Sequence, residues 1–199
     1  MATYQAITAV GEAILGLLKA TRPPTSSEFD ATQFKLYQAS NFQTPTTEEI
    51  ISLYLYHVGI NSTRRSFPPR RDPDGRVYRP PLPVDLHFLL TPWSQDPYKQ
   101  LRLLGWSMRV LEDTPILPSA WLNSFGPEPD VFRPDEAVEL VCEPLSLQEI
   151  INIWDAFKPN LQISTAYVAR MILIDSMVEE TEGPLVQTRV FSMAKGPMQ

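Results

Sequence analysis

The chain has 199 residues, 43% of them hydrophobic, enough for one substantial core, and a single domain spanning 1–199 is the expectation. Only 20% of residues are charged, and the net charge is −6, which argues against a globally basic nucleic-acid surface and against a disordered acidic chain. Cys142 is the only cysteine, so no intrachain disulfide can form and a cytoplasmic setting fits best. No uncharged apolar run reaches the roughly 20 residues a bilayer span needs, so no direct membrane insertion is expected.

In chain order, Ile7, Val10, Ile14, Leu17 and Leu18 recur at helical spacing, and Pro23-Pro24 stops them, predicting a helix over about residues 3–20. Glu12 interrupts this stretch and no basic residue precedes Lys19, so it is better read as a helix than as a signal peptide. Phe34 and Leu36 alternate with Lys35 and Tyr37 in a short strand. The run from Ile50 to Val58 is apolar on both faces, as a central strand in a covered sheet would be. From Leu82 to Leu90, Leu82, Val84, Leu86, Phe88 and Leu90 share one face, and Asp85 and His87 share the other.

Tyr98, Leu101, Leu104, Gly105, Met108 and Leu111 predict one buried side of a second helix, which ends near Asp113 because Pro115 disfavours helical geometry at Thr114. Gly105 on that side is expected to permit close approach to the sheet. Val138, Leu140 and Cys142 alternate in a further strand, with Cys142 taken as a small core residue. Ser146 and Glu149 form a capping box that opens a third helix with Ile150, Ile151, Trp154 and Phe157 as its apolar face. Segments Ala166–Ile174 and Leu185–Phe191 are expected to pair as a hairpin. This order of elements does not alternate as a doubly wound fold would. The expected class is therefore α+β, a mixed, largely antiparallel sheet with about three helices packed on it.

Motifs of chemistry are scarce. No P-loop, dinucleotide fingerprint or G-x-S-x-G elbow occurs, and His57 and His87 lie on separate segments without a zinc-ligand spacing, so no cofactor, metal or catalytic residue is assigned. One alternative stays open. Asp85 and His87, two apart in a strand, point the same way and would suit a small hydrolase or transferase; the competing reading makes them a polar strand face answering Arg170. Tyr54, Tyr56, Trp154 and Phe157 are read as packing.

The connection from Asn61 to Pro83 is the most unusual feature. It carries Arg64, Arg65, Arg70, Arg71, Arg76 and Arg79, half of the chain's arginines and no lysine, giving it a net charge of +4 against −10 for the remainder. Forked guanidinium groups suit bidentate contacts to carboxylates, so these six arginines are the candidate protein interface. Two further readings weigh against that: a polyanion-binding module, disfavoured by the acidic remainder, and arginines that tie the proline-stiffened loop down within the chain.

The ordered segments Leu53-Tyr54-Leu55-Tyr56-His57, Leu86-His87-Phe88-Leu89-Leu90-Thr91-Pro92, Leu104-Gly105-Trp106-Ser107-Met108-Arg109-Val110-Leu111, Pro115-Ile116-Leu117, Trp154, Ser164-Thr165-Ala166-Tyr167-Val168 and Ile174-Asp175-Ser176 together carry a resemblance. Over roughly Tyr4 to Phe191 the chain resembles the N-terminal domain of tail-terminator, or cap, proteins of phage-tail-like contractile injection systems. The resemblance implies a non-catalytic subunit of an assembled particle. Such a subunit forms a homo-hexameric ring on the baseplate-distal end, contacts sheath and inner tube, stops their polymerisation and holds the sheath, without binding nucleic acid. A ring needs two different complementary patches, which a +4 loop on an acidic body would supply, and exposed strand edges would accept extended arms.

Overall fold

A computed structural model of the chain describes residues 4–23, 29–43, 46–63, 67–72, 74–126, 128, 130–157 and 161–180. The elements are α1 (Ala6–Ala20), β1 (Gln33–Tyr37), β2 (Ile50–Ile60), β3 (Arg70–Arg71), β4 (Val77–Tyr78), β5 (Leu82–Trp93), α2 (Pro97–Asp113), β6 (Ile116–Pro118), α3 (Ser119–Phe125), β7 (Ala137–Glu143), α4 (Leu147–Phe157) and β8 (Thr165–Ile174). Six strands form one sheet in the order β1-β2-β5-β8-β7-β6, and β3-β4 make a separate two-stranded ribbon. Only the β1–β2 pair is parallel. The α+β class with a largely antiparallel sheet is therefore observed, carrying four helices where the periodicity predicts three.

The first half of β2 and the second half of β5 are apolar on both faces because both faces are covered there. On one face, Ile51 and Leu53 of β2, Leu86, Phe88 and Leu90 of β5 and Tyr167 and Ala169 of β8 meet α1, α2 and α3 in the main core. Helix α1 is the centre of that layer: Ala6, Ala9, Val10, Ala13, Ile14 and Leu18 are fully buried. At about 1.5–3 kcal/mol per buried Leu or Ile side chain, this packing dominates the favourable side of folding. On the opposite face, Ile50, Leu89 and Trp93 pack with Phe42, Trp154 and Phe157 in a second, aromatic cluster beneath α4. There Phe42 stacks on Phe157 at 4.3 Å between centroids, and the Trp93 indole N–H donates to the Ser52 hydroxyl at 2.8 Å. Trp154, Phe157, Tyr54 and Tyr56 are thus packing residues, as the sequence suggests.

The capping box holds: the Ser146 N–H donates to the Glu149 carboxylate at 2.8 Å, and the Glu149 N–H to the Ser146 hydroxyl at 3.3 Å. Helix α2 departs from its expected phase. Its buried residues are Leu103, Ser107 and Leu111, whereas Tyr98 and Leu101 are exposed. The Ser107 hydroxyl returns to the Leu103 carbonyl at 2.7 Å, which lets a polar residue occupy the buried stripe. Gly105 consequently faces open space and makes no close approach to the sheet. A close approach is made instead by Gly16 of α1, to α3 rather than to the sheet: an added Cβ would stand 2.4 Å from the Phe125 ring.

After β8 the chain turns towards the small ribbon, where Val178 accepts from the Arg79 N–H and the Glu180 N–H donates to Val77. The strand expected over Leu185–Phe191, and its hairpin with β8, lie outside the described residues.

Candidate functional site

The Arg/Pro-rich connection runs between β2 and β5, and its described part is ordered around the β3-β4 ribbon. Gly75, at φ 81°, supplies the left-handed turn that closes it, with the Gly75 N–H donating to Asp72 and the Asp72 N–H to Arg76, each at 2.9 Å. The six candidate arginines do not share one environment. Arg70 is held inside the chain: its guanidinium lies 2.6 Å from the Asp175 carboxylate, 3.5 Å from Asp72, and 5.4 Å above the Tyr78 ring centroid. Arg133, from the segment before β7, reaches the same Asp175 oxygen at 2.5 Å, so a carboxylate only 4% exposed is shared by two guanidinium groups. Arg76 is exposed and pairs with Glu179 at 3.2 Å. Arg71 and Arg79 are exposed at the surface of the ribbon and of the segment that follows it. Arg64 and Arg65 lie outside the described residues.

A cleft of ≈ 460 Å³ separates this connection from the β7-β8 region, walled by Phe67, Pro69, Arg70, Phe132, Arg133 and Asp175. Sequence reasoning missed Arg133 and Asp175. No local pattern marks either as a site residue, and only the fold brings residues 70, 133 and 175 together.

Asp85 and His87, the pair behind the alternative catalytic reading, do not contact each other but hold separate partners. A bulge in the β5–β8 register isolates Asp85 opposite Met171, which adopts φ 63°. The Asp85 carboxylate accepts from the Met171 N–H at 2.8 Å and from the Asn61 side-chain amide at 3.0 Å, which uses it to secure the bulge. His87 instead lies 2.9 Å, through Nδ1, from the Glu143 carboxylate, which also accepts the Tyr56 hydroxyl at 2.7 Å. Arg170 answers neither residue; its partner is Glu139, 3.9 Å away on β7. The two histidines, on separate segments of the chain, are direct cross-strand neighbours with ring centroids 5.1 Å apart. Among the described residues no group of three His, Cys, Asp or Glu side chains is placed to hold a metal ion. Cys142 is half-buried against the main core, its sulfur 3.8 Å from the Thr165 hydroxyl. No helix among the described residues is long and apolar enough to cross a membrane.

The described residues thus form an α+β domain built on one sheet covered on two faces, with an arginine-bearing ribbon on the connection between β2 and β5. Residues 9–188 match the model of the Pvc16 N-terminal domain, and the chain belongs to that family. Two solved structures share the fold. The sheath/tube terminator of an extracellular contractile injection system, PVC, in its extended state superposes with a TM-score of 0.59 at 18% identity, over 94% of this chain and 64% of that one. The tube-terminating cap of the anti-feeding prophage superposes with a TM-score of 0.59 at 15% identity, over 92% of this chain and 60% of that one. The chain thus spans about three fifths of the length of the structures it matches. No curated protein matches it in sequence.

Proposed function

We propose that the chain is a cap subunit of a contractile injection system: a homo-hexameric ring on the baseplate-distal end of sheath and inner tube that stops their polymerisation and anchors the sheath. The observation that carries this reading is family membership over residues 9–188, joined to a fold shared with two terminator caps over more than nine tenths of the chain. The charge distribution supports ring formation. A closed ring is built from heterologous contacts, and a +4 connection on a body of net −10 provides two complementary patches on one molecule. The subunit works as part of an assembled phage-tail-like particle in the cytoplasm of the producing cell, without nucleic acid and without inserting into a membrane.

Within the interface, Arg79, Arg76 and Arg71 are the residues assigned to the neighbouring subunit, and Arg64 and Arg65 join them by proximity in sequence. Arg70 supports the ribbon through Asp175. Light scattering of the purified chain at graded salt tests the ring. A hexamer whose stability falls with ionic strength is expected, and a monomer at all concentrations, absent also from purified particles, would refute it.

A further inference from the structure

A bulge in the β2–β5 pairing brings the chain's two histidines onto one face of the sheet. Leu55 and its partner Phe88 pack on the main-core face, and strict alternation would send His57, two residues on, the same way. Tyr56 is an extra residue between the Leu55–Phe88 and His57–His87 pairs, which switches the face of the β2 side chains that follow. His57 therefore stands beside His87 on the opposite face, with ring centroids 5.1 Å apart, and the Tyr56 ring lies 6.0 Å from His87.

The neighbours of the pair set its chemistry. The Glu143 carboxylate, 2.9 Å from His87 Nδ1, can only accept, so Nδ1 carries the proton and Nε2 presents its lone pair. Gly59, opposite Asp85 on β5, has no side chain to fill the space beside that lone pair. A Cβ built there would stand 3.5 Å from His87 Nε2 and 3.5 Å from His57 Nε2, its two nearest neighbours. Both Nε2 atoms thus border the space that Gly59 leaves open. Two imidazole nitrogens, one of them fixed in tautomer and orientation by a carboxylate behind its ring, are a donor set suited to ions of the Zn2+ class.

We infer that His57 and His87 form a two-imidazole binding site for a divalent transition-metal ion of the Zn2+ class, with Glu143 as its positioning residue. An ion bound to both Nε2 atoms at about 2.0–2.1 Å holds them within about 4 Å of each other, and His57, exposed at the surface, turns its ring to meet it. Among the described residues no third His, Cys, Asp or Glu side chain joins the pair, so solvent completes the coordination and the affinity is below that of a three- or four-ligand site. The Asp85 carboxylate is committed elsewhere, to the Met171 N–H and the Asn61 amide. The ion links β2 to β5 at the bulge.

Calorimetric titration of the tag-free chain with ZnCl2 at pH 7.5 tests this. One ion per chain is expected, with a higher unfolding midpoint when Zn2+ is present. His57→Ala, a change at an exposed side chain, is expected to keep the metal-free midpoint and to lose at least tenfold in affinity, and His87→Ala to show the same loss in affinity. Glu143→Gln is expected to weaken binding about tenfold while still taking one ion per chain. Cu2+ bound to the wild-type chain should show two nitrogen ligands by electron paramagnetic resonance, and His57→Ala one. No saturable Zn2+ binding, equal affinity in His57→Ala, or a Cu2+ spectrum unchanged by that variant would overturn the site and leave the cap reading intact.

Discussion

The Tyr56 hydroxyl on β2 donates to the Glu143 carboxylate on β7 at 2.7 Å, reaching across the two strands, β5 and β8, that separate them. His87, on β5 beneath this bridge, holds the same carboxylate. The sheet is thereby tied across its width on the face that α4 only partly covers.

Loss of that bridge should weaken the fold without touching the main core. Tyr56→Phe is expected to cost about 1.5 kcal/mol, the scale of one hydrogen bond to a charged acceptor, read from urea unfolding at pH 7.5. Burial, and then the Glu143 carboxylate, push the Tyr56 phenol above its ordinary range; burial first does the same for Tyr167. Their folded-state values are raised, so their contribution is fully present below about pH 10 and is lost progressively as pH rises above it. Stability should therefore fall between pH 10 and 12, and less steeply in Tyr56→Phe.

Two glycines give opposite expectations. Gly16→Ala places a methyl group 2.4 to 2.7 Å from Phe125 ring atoms at the α1–α3 contact and should destabilise by about 1–3 kcal/mol. Gly105→Ala meets nothing within 4 Å in mid-helix and should stabilise by about 0.5–1 kcal/mol. Thermal unfolding of both variants checks the pair; equal shifts would contradict the packing described.

Asp85 is expected to act on stability alone. Asp85→Ala removes the acceptor of the Met171 N–H, and one partner of the buried Asn61 amide, and should cost about 1–3 kcal/mol, with Asp85→Asn intermediate because it keeps one acceptor oxygen. Chemical denaturation of the three proteins measures this.

These particulars also mark where the sequence is informative. α1, β2, β5 and the Ser146–Glu149 cap are legible because periodicity and local hydrogen bonding coincide there. The phase of α2 is not: Tyr98, Leu101 and Leu104 make a stripe as apolar as the one actually buried, and only the Ser107–Leu103 bond and the contacts of Trp106 with Phe29 and Phe34 decide the matter. Helix α3 escapes because seven residues between Pro118 and Gly126 are too few for a period to register. β5 runs on to Trp93 through Pro92, a residue that normally argues against a central strand. Within the candidate site, the arginine excess is visible in the sequence. Its division into a fold-supporting Arg70 and an exposed Arg76 and Arg79 is not, since Asp175 is 105 residues away.

That division predicts two behaviours. Asp175→Ala should leave two guanidinium groups facing an empty carboxylate position and cost about 3 kcal/mol, with Arg70→Ala destabilising in the same assay. Arg76→Glu/Arg79→Glu, at exposed side chains, should leave the unfolding midpoint close to that of wild type and reduce ring assembly at least tenfold. Denaturation and light scattering on the same samples separate the two.

The most direct test of the account is a cryo-electron microscopy map of particles carrying this chain, compared with particles lacking it. The account predicts a ring of this fold on the end distal to the baseplate, and tubes and sheaths of uncontrolled length when the chain is absent. Particles of normal, uniform length without it, or density for it elsewhere on the particle, would contradict the account.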